Sequence, residues 1–157
     1  MTIQDRAGVY LGTAFGAGYF PVGPGTFASV ATVAACVGAQ AAGHGWTMLG
    51  VAAILFLPGC WAAAVCARVF QQHDPGRVVI DEVIGQLITL AAVPAAGAGV
   101  WKYWLGGLIL FRVFDIFKPW PVRQLERLPG GYGIVTDDVM AGFYGFGVLK
   151  VVSLVTA

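Results

Sequence analysis

Most side chains capable of metal-binding or phosphate-binding chemistry lie in three short segments of the chain, residues 73–86, 111–121 and 130–142. Five carboxylates in these segments stand beside apolar residues: Asp81, Glu82, Asp115, Asp137 and Asp138. Carboxylates at a membrane boundary repel one another and lose hydration, and a divalent cation or a basic partner relieves that cost. Arg112 and Lys118 flank Asp115 at three residues on either side. The pattern indicates a magnesium site that involves the five carboxylates, with cations beside it for an anionic substrate.

Each acid also has a structural alternative. Four of them can cap helix N-termini, where free backbone N–H groups and the helix dipole favour negative charge: Asp81, Glu82, Asp137 and Asp138. Asp115 lies near a predicted helix C-terminus, where an acid is unfavourable, so its structural alternative is an ion pair with Arg112 or Lys118. Capping alone is a weaker explanation for three acid-bearing segments that are expected at one membrane depth.

A further candidate lies earlier in the chain, at Pro24-Gly25-Thr26. This sequence predicts a helix start, with Thr26 as N-cap and Ser29 one turn later. Free N–H groups at such a start also bind phosphate, which makes Thr26 a candidate substrate-binding residue. Capping without a ligand is the structural alternative.

Composition places the chain in a membrane. Of its 157 residues, 58% are hydrophobic and 11% charged, with a mean hydropathy of +0.78, whereas about 25% of residues are charged in an average soluble domain. The net charge of +1 gives no indication of nucleic-acid binding. Three cysteines within apolar runs predict neither a disulfide framework nor a zinc site. We expect one domain over residues 1–157.

The predicted fold is an all-α, multihelical integral membrane bundle. A spanning helix needs about 20 apolar residues, and about five segments are predicted to span or to lie embedded: residues 26–42, 46–67, 83–101, 101–117 and 139–155. The first two are expected to form a helical hairpin, and a turn at residues 96–99 separates the third from the fourth. Two structures are possible for the glycine-rich residues 7–25: a helix with a close packing face, or a re-entrant or surface segment.

This topology brings the charged segments to one side. Asp81 lies 18 residues before Gly99 and Asp115 lies 16 after it, so a hairpin centred there returns both acids to nearly the same depth at about 1.5 Å per residue. Most cations fall on that side: Arg6, Arg68, Arg77, Lys118, Arg123 and Arg127. By the positive-inside rule it is the cytoplasmic side.

Several phosphate chemistries lack their motifs in this chain. No third acid completes an Asp-Asp-x-x-Asp sequence after Asp137 and Asp138, and no cysteine lies six residues before an arginine. His44 and His73 are predicted on opposite membrane faces, which disfavours a two-histidine phosphatase and a Ser-His-Asp site.

In order along the chain, the sequence contains FPVGPGTFAS, VIDEVIGQ, FRVFDIFKPWP and GGYGIVTDDVMAG. Together these blocks resemble the signature blocks of the bacterial phosphatidylglycerophosphatase A family over nearly the whole chain. The resemblance implies a multihelical inner-membrane enzyme that uses Mg²⁺ to hydrolyse phosphatidylglycerophosphate to phosphatidylglycerol and phosphate. Its motifs fall on Asp81, Glu82, Arg112, Asp115, Lys118, Asp137 and Asp138, and less specifically on Thr26 and Asp74.

On this basis the five carboxylates are expected to share metal coordination and water activation, and Arg112 and Lys118 to bind the substrate phosphate. Direct attack by water is favoured over a phosphorylated Asp115. Three alternatives stay open: a phosphatase for another lipid phosphate, a small ion or solute transporter, and a noncatalytic lipid-binding scaffold. The oligomeric state is also open.

Overall fold

A computed structural model describes residues 1–95, 97 and 99–156. Every regular element in these ranges is helical, which confirms the all-α prediction: α1 (Ile3–Gly12), α2 (Pro24–Ala41), α3 (Met48–Phe70), α4 (Ile80–Leu90), α5 (Trp101–Phe117), α6 (Val122–Leu125) and α7 (Gly131–Val155). Single 3-10 turns occupy Ala17–Tyr19 and Gly45–Thr47. The turn predicted at residues 96–99 falls partly on Ala96 and Ala98, which lie outside the described residues.

The short helix α4 forms the centre of the bundle. Nine of its eleven residues are buried, and it packs against α2, α3, α5 and α7. The expected hairpin of α2 and α3 is therefore wrong. The two helices follow each other along the chain, but α2 packs mainly on α4, whereas α3 packs on α1, α7 and α4.

A close helix contact joins α4 to α7 through two glycines. A Cβ atom built on Gly142 would lie 2.5 Å from the carbonyl oxygen of Gly85, and one built on Gly85 would lie 2.5 Å from the carbonyl oxygen of Asp138. Next to them, the Thr89 hydroxyl donates a hydrogen bond to the Gly142 carbonyl at 3.0 Å. Small residues at helix interfaces permit this close approach of backbones. It places the first turns of α4 beside Asp138.

Two helices of the described residues are long and apolar enough to cross a membrane. They are α3, with 23 residues and a mean hydropathy of 2.1, and α7, with 25 residues and 1.5. The apolar run at 83–101 folds differently from the prediction, since α4 ends at Leu90, four residues before Pro94. Proline disfavours helical backbone in the residue before it, which explains why this run does not continue as one helix.

Residues 7–25 contain the end of α1 and an irregular connection to α2. Gly8 and Gly12 pack α1 against α3, with Val65 and Cys66 at the contact. Gly16 has left-handed backbone (φ 99°) and does not share that contact. With ten residues, α1 is shorter than the roughly 20 residues that a bilayer requires.

Candidate active site

Three carboxylates meet where the start of α4 approaches α7. Asp81 and Glu82 lie in the first turn of α4, and Asp138 is the eighth residue of α7. One oxygen atom from each lies within 4.8 Å of the others. The side chains are removed from solvent, since Asp81 is 7% and Asp138 4% exposed. Three of the five predicted acids thus form one compact cluster, which we call the acid cluster.

Helix capping does not account for this arrangement. The N-cap position of α4 is taken by Val79, without a side-chain cap hydrogen bond, and Asp81 accepts a hydrogen bond at 3.0 Å from the backbone N–H of Glu82 within the first turn. Asp137 and Asp138 are nearly two turns inside α7, which begins at Gly131 and not near residue 139 as predicted. Capping therefore does not explain these two acids.

The electrostatics at the start of α4 favour a bound cation. Asp81 and Glu82 are adjacent acids that repel each other, and burial takes away the hydration that would offset the repulsion. One buried oxygen of Glu82 has no hydrogen-bond partner among the described residues. Carboxylate oxygens at the spacing of the acid cluster fit the ligand preference of Mg²⁺.

Arg112 connects the acid cluster to Asp115. Its Nη1 atom lies 2.6 Å from Oδ2 of Asp115 and 3.7 Å from Oε1 of Glu82. The ion pair that was the structural alternative for Asp115 is thus formed. Asp115 thus lies beside the acid cluster, as expected, although α4 ends at Leu90 and does not reach the predicted turn near Gly99.

Lys118 makes the second cationic contact of the site. Its Nζ atom lies 2.7 Å from Oδ2 of Asp137 and 3.5 Å from Oε1 of Glu126. Burial is the largest single influence on the pKa of Lys118 and lowers it, but the bond and charge of Asp137, together with Glu126, raise it above its usual value. The structure pairs Asp137 with lysine and not with the other acids. Sequence reasoning missed Glu126, whose only signal was its charge.

The first turn of α2 completes the site. A Cβ atom on Gly25 would overlap Oε1 of Glu82 and would lie 3.4 Å from Nη1 of Arg112. The predicted N-cap is wrong, because Gly23 (φ 60°) takes that position and Pro24 begins the helix. Thr26 is an exposed residue of this first turn. Gly25, which sequence reasoning did not single out, is the α2 residue shown in contact with the acid cluster.

The pairing of Lys118 with Asp137 gives a stability prediction. The Lys118→Met variant is expected to be destabilised by about 2–3 kcal/mol, because it leaves a buried carboxylate without its partner. Adding Asp137→Asn should recover at least about 1 kcal/mol of that loss. Unfolding in detergent measures the cycle, with Lys102→Met at the start of α5 as the matched control. Strictly additive effects would contradict the pairing.

Apolar helices of spanning length, a buried acid cluster and adjacent cations are the features of a membrane enzyme that acts on an anionic group. The phosphatidylglycerophosphatase A family model matches residues 10–153. The chain belongs to this family and is a lipid phosphatase. The resemblance inferred from the sequence blocks is confirmed, and the transporter and scaffold alternatives lose their support.

Three relatives cover most of the chain. A Bacteroides thetaiotaomicron protein, provisionally named a phosphatidylinositol-3-phosphatase, is 39% identical over 88% of this chain and 88% of its own length. The phosphatidylglycerophosphatase A proteins of Haemophilus influenzae and Escherichia coli are 37% and 34% identical, over 85% and 88% of this chain and 81% and 79% of their own lengths. No solved structure matches the chain.

Proposed function

We propose that this protein hydrolyses the terminal phosphomonoester of phosphatidylglycerophosphate, with Mg²⁺, to give phosphatidylglycerol and inorganic phosphate. The observation that carries the proposal is the acid cluster of Asp81, Glu82 and Asp138 with Arg112 beside it. Two relatives that carry the name phosphatidylglycerophosphatase A support the choice of substrate.

In this proposal Asp81, Glu82 and Asp138 hold the metal. When bound, magnesium would neutralise charge on the phosphate oxygens and lower the pKa of a water molecule. Asp115 and Asp137 take a different part, because each is engaged by a cation at 2.6–2.7 Å. We assign to them the positioning of Arg112 and Lys118.

The chain's own groups bind and orient the terminal phosphate. Arg112 offers a planar guanidinium fork that matches two phosphate oxygens, and Lys118 offers a point charge. Free N–H groups in the first turn of α2, together with the Thr26 hydroxyl, add neutral donors at the same place. Water attacks phosphorus, the bond to the glycerol oxygen breaks, and that oxygen takes a proton. We prefer this direct route to a phosphorylated Asp115, because Oδ2 of Asp115 accepts a hydrogen bond from Arg112 at 2.6 Å and is already engaged.

We further propose that the whole chain is one domain in the bacterial inner membrane, with the site facing the cytoplasm. Helices α3 and α7 are long enough to span, and we propose that α2, α4 and α5 are embedded beside them, which gives the five helices of the sequence prediction. The concentration of Arg and Lys at the end that holds the site supports the orientation. The acyl chains of the substrate then stay in lipid while its headgroup enters.

A second candidate substrate is a phosphatidylinositol phosphorylated at position 3. It is favoured by the provisional name of the Bacteroides thetaiotaomicron relative. Competition between the two headgroups, measured as kcat/KM for each, decides between them.

The test is phosphate release from phosphatidylglycerophosphate in detergent micelles by the purified protein. We expect release with Mg²⁺, none with EDTA, and a loss of about 100-fold or more in the Asp115→Asn variant. Asp5→Asn is the control, since Asp5 is also an aspartate paired with an arginine, Arg68, but lies on α1. Release without any divalent ion would remove magnesium from the proposal, and a trapped phosphoenzyme would replace direct attack.

A further inference from the structure

A cationic pocket lies where α5 ends and α6 begins, and its two arginines are not used by the reaction described so far. It has a volume of about 340 Å³ and is lined by Phe117, Lys118, Trp120, Arg123, Gln124 and Arg127. We call it the arginine pocket.

The two arginines of this pocket are available for an anion. Arg123 lies in α6 and Arg127 follows one turn later, with its backbone N–H donating to the carbonyl of Gln124 at 3.2 Å. Both side chains are exposed, and neither has a carboxylate within 4.0 Å among the described residues. Arg127 lies in the turn after α6, and both arginines line the same pocket. Two guanidinium groups that line one pocket favour a phosphate between them.

One ion pair connects the arginine pocket to the turn of α7 that carries Asp138. Lys118 lines the pocket, and its ammonium group contacts Asp137, the chain neighbour of Asp138. The wall that carries Trp120 is tied to α7, since the Tyr144 hydroxyl donates to the Trp120 carbonyl at 2.9 Å. The arginine pocket therefore lies next to the part of α7 that contributes Asp138 to the acid cluster.

Exposed aromatic side chains set the level of the pocket in the bilayer. Phe117 is 73% and Trp120 76% exposed. Amphipathic and aromatic rings concentrate at the boundary between hydrocarbon and headgroups. The phosphodiester of a phospholipid lies at that same level.

We propose that the arginine pocket binds the phosphodiester of the substrate, the phosphate that the reaction does not remove. This inference rests on the proposed function, because phosphatidylglycerophosphate carries a terminal monoester and a diester separated by one glycerol unit. The acid cluster and Arg112 take the monoester, while Arg123 and Arg127 take the diester. The pocket thereby favours lipids with two phosphates, including a phosphatidylinositol 3-phosphate, over lipids with a single terminal phosphate.

The two reaction products test the two sites separately. Phosphatidylglycerol keeps the diester, whereas inorganic phosphate corresponds to the monoester. We expect the Arg123→Gln/Arg127→Gln double variant to bind dihexanoyl phosphatidylglycerol about tenfold more weakly in neutral detergent micelles. The inhibition constant of inorganic phosphate should stay within about twofold, because charge-assisted contacts act at short range. The KM for phosphatidylglycerophosphate should rise in parallel with the weaker lipid binding.

Two controls separate a specific pocket from a general charge effect. Lys102→Gln removes one positive charge at the start of α5, and we expect it to leave both constants unchanged. Arg123→Lys/Arg127→Lys keeps the charge and should restore part of the lipid affinity but not all of it, because lysine lacks the planar fork. Unchanged Tm values in all variants show that the fold is intact.

Each outcome separates the pocket from the proposed reaction. Equal weakening of both products, or no weakening of phosphatidylglycerol binding, overturns the arginine pocket while leaving the proposed function in place. If the unmodified protein releases no phosphate from phosphatidylglycerophosphate but its binding of dihexanoyl phosphatidylglycerol depends on the two arginines, the proposed function fails and the pocket stands.

Discussion

The Asp138→Asn variant is expected to release phosphate about 1000-fold more slowly than the unmodified protein. Asp138 is the member of the acid cluster that α7 contributes, with an oxygen atom within 4.8 Å of those that Asp81 and Glu82 contribute from α4. Asparagine keeps the size of the side chain and removes its negative charge, so the packing survives while the cluster's attraction for a cation falls. Initial rates over a Mg²⁺ titration measure the effect, and half-maximal activity should need more Mg²⁺.

The matched control is the adjacent acid. Asp137→Asn removes a charge from the same turn of α7, but Asp137 contacts Lys118 at 2.7 Å and not the acid cluster. We expect a loss of no more than about tenfold, because the asparagine side chain still offers Lys118 a hydrogen-bond acceptor and only the charge assistance is removed. Equal losses in the two variants would show that Asp137 shares the metal site, as the sequence had suggested.

The Gly142→Ala variant is expected to be destabilised by about 1–3 kcal/mol through overpacking. Its new methyl group would lie 2.5 Å from the Gly85 carbonyl oxygen and 3.0 Å from the Gly85 Cα. Backbone atoms have no rotamer by which to move aside, so α4 and α7 must separate. Because the acid cluster draws its members from both helices, we also expect activity to fall by about 100-fold for a displacement near 1 Å. Tm and kcat in the same detergent measure the two effects.

Gly147→Ala provides the comparison on the same helix. A Cβ atom at Gly147 meets no atom of the described residues within 4 Å. Replacing a helical glycine with alanine there should stabilise the protein by up to about 1 kcal/mol, with full activity. A Gly142→Ala protein with the parental Tm and kcat would show that the contact between α4 and α7 does not hold the site together.

The sequence predicted the elements that come from local composition. The long uncharged runs predicted helices. The structure brings Asp115 close to the start of α4 as expected, but α4 ends at Leu90 and not at the turn near Gly99 on which the count of residues relied. The end of α4 was also readable in principle, because Pro94 stood in the middle of the run at 83–101. The backbone restriction that proline imposes outweighs the hydropathy of this run.

The partners within the site could not be predicted in the same way. Asp137 and Asp138 are consecutive and chemically identical, yet one contacts Lys118 and the other joins the acid cluster. Successive residues on a helix point about 100° apart, and only the packing of α7 against α4 decides which side faces which neighbour. The contact between Gly25 and Glu82 could not be predicted either, because the two residues are 57 positions apart in the chain and meet only through packing.

The packing of α4 against α7 also determines when the acid cluster is complete during synthesis. The ribosome produces α4 and α5 before α7, so a nascent chain that ends before Gly131 contains Asp81 and Glu82 but lacks Asp138. Helix α7 then packs against α3, α4, α5 and α6. Insertion of this helix is therefore the step that completes the acid cluster, and under the proposed function we expect hydrolysis of membrane lipid to begin only after it.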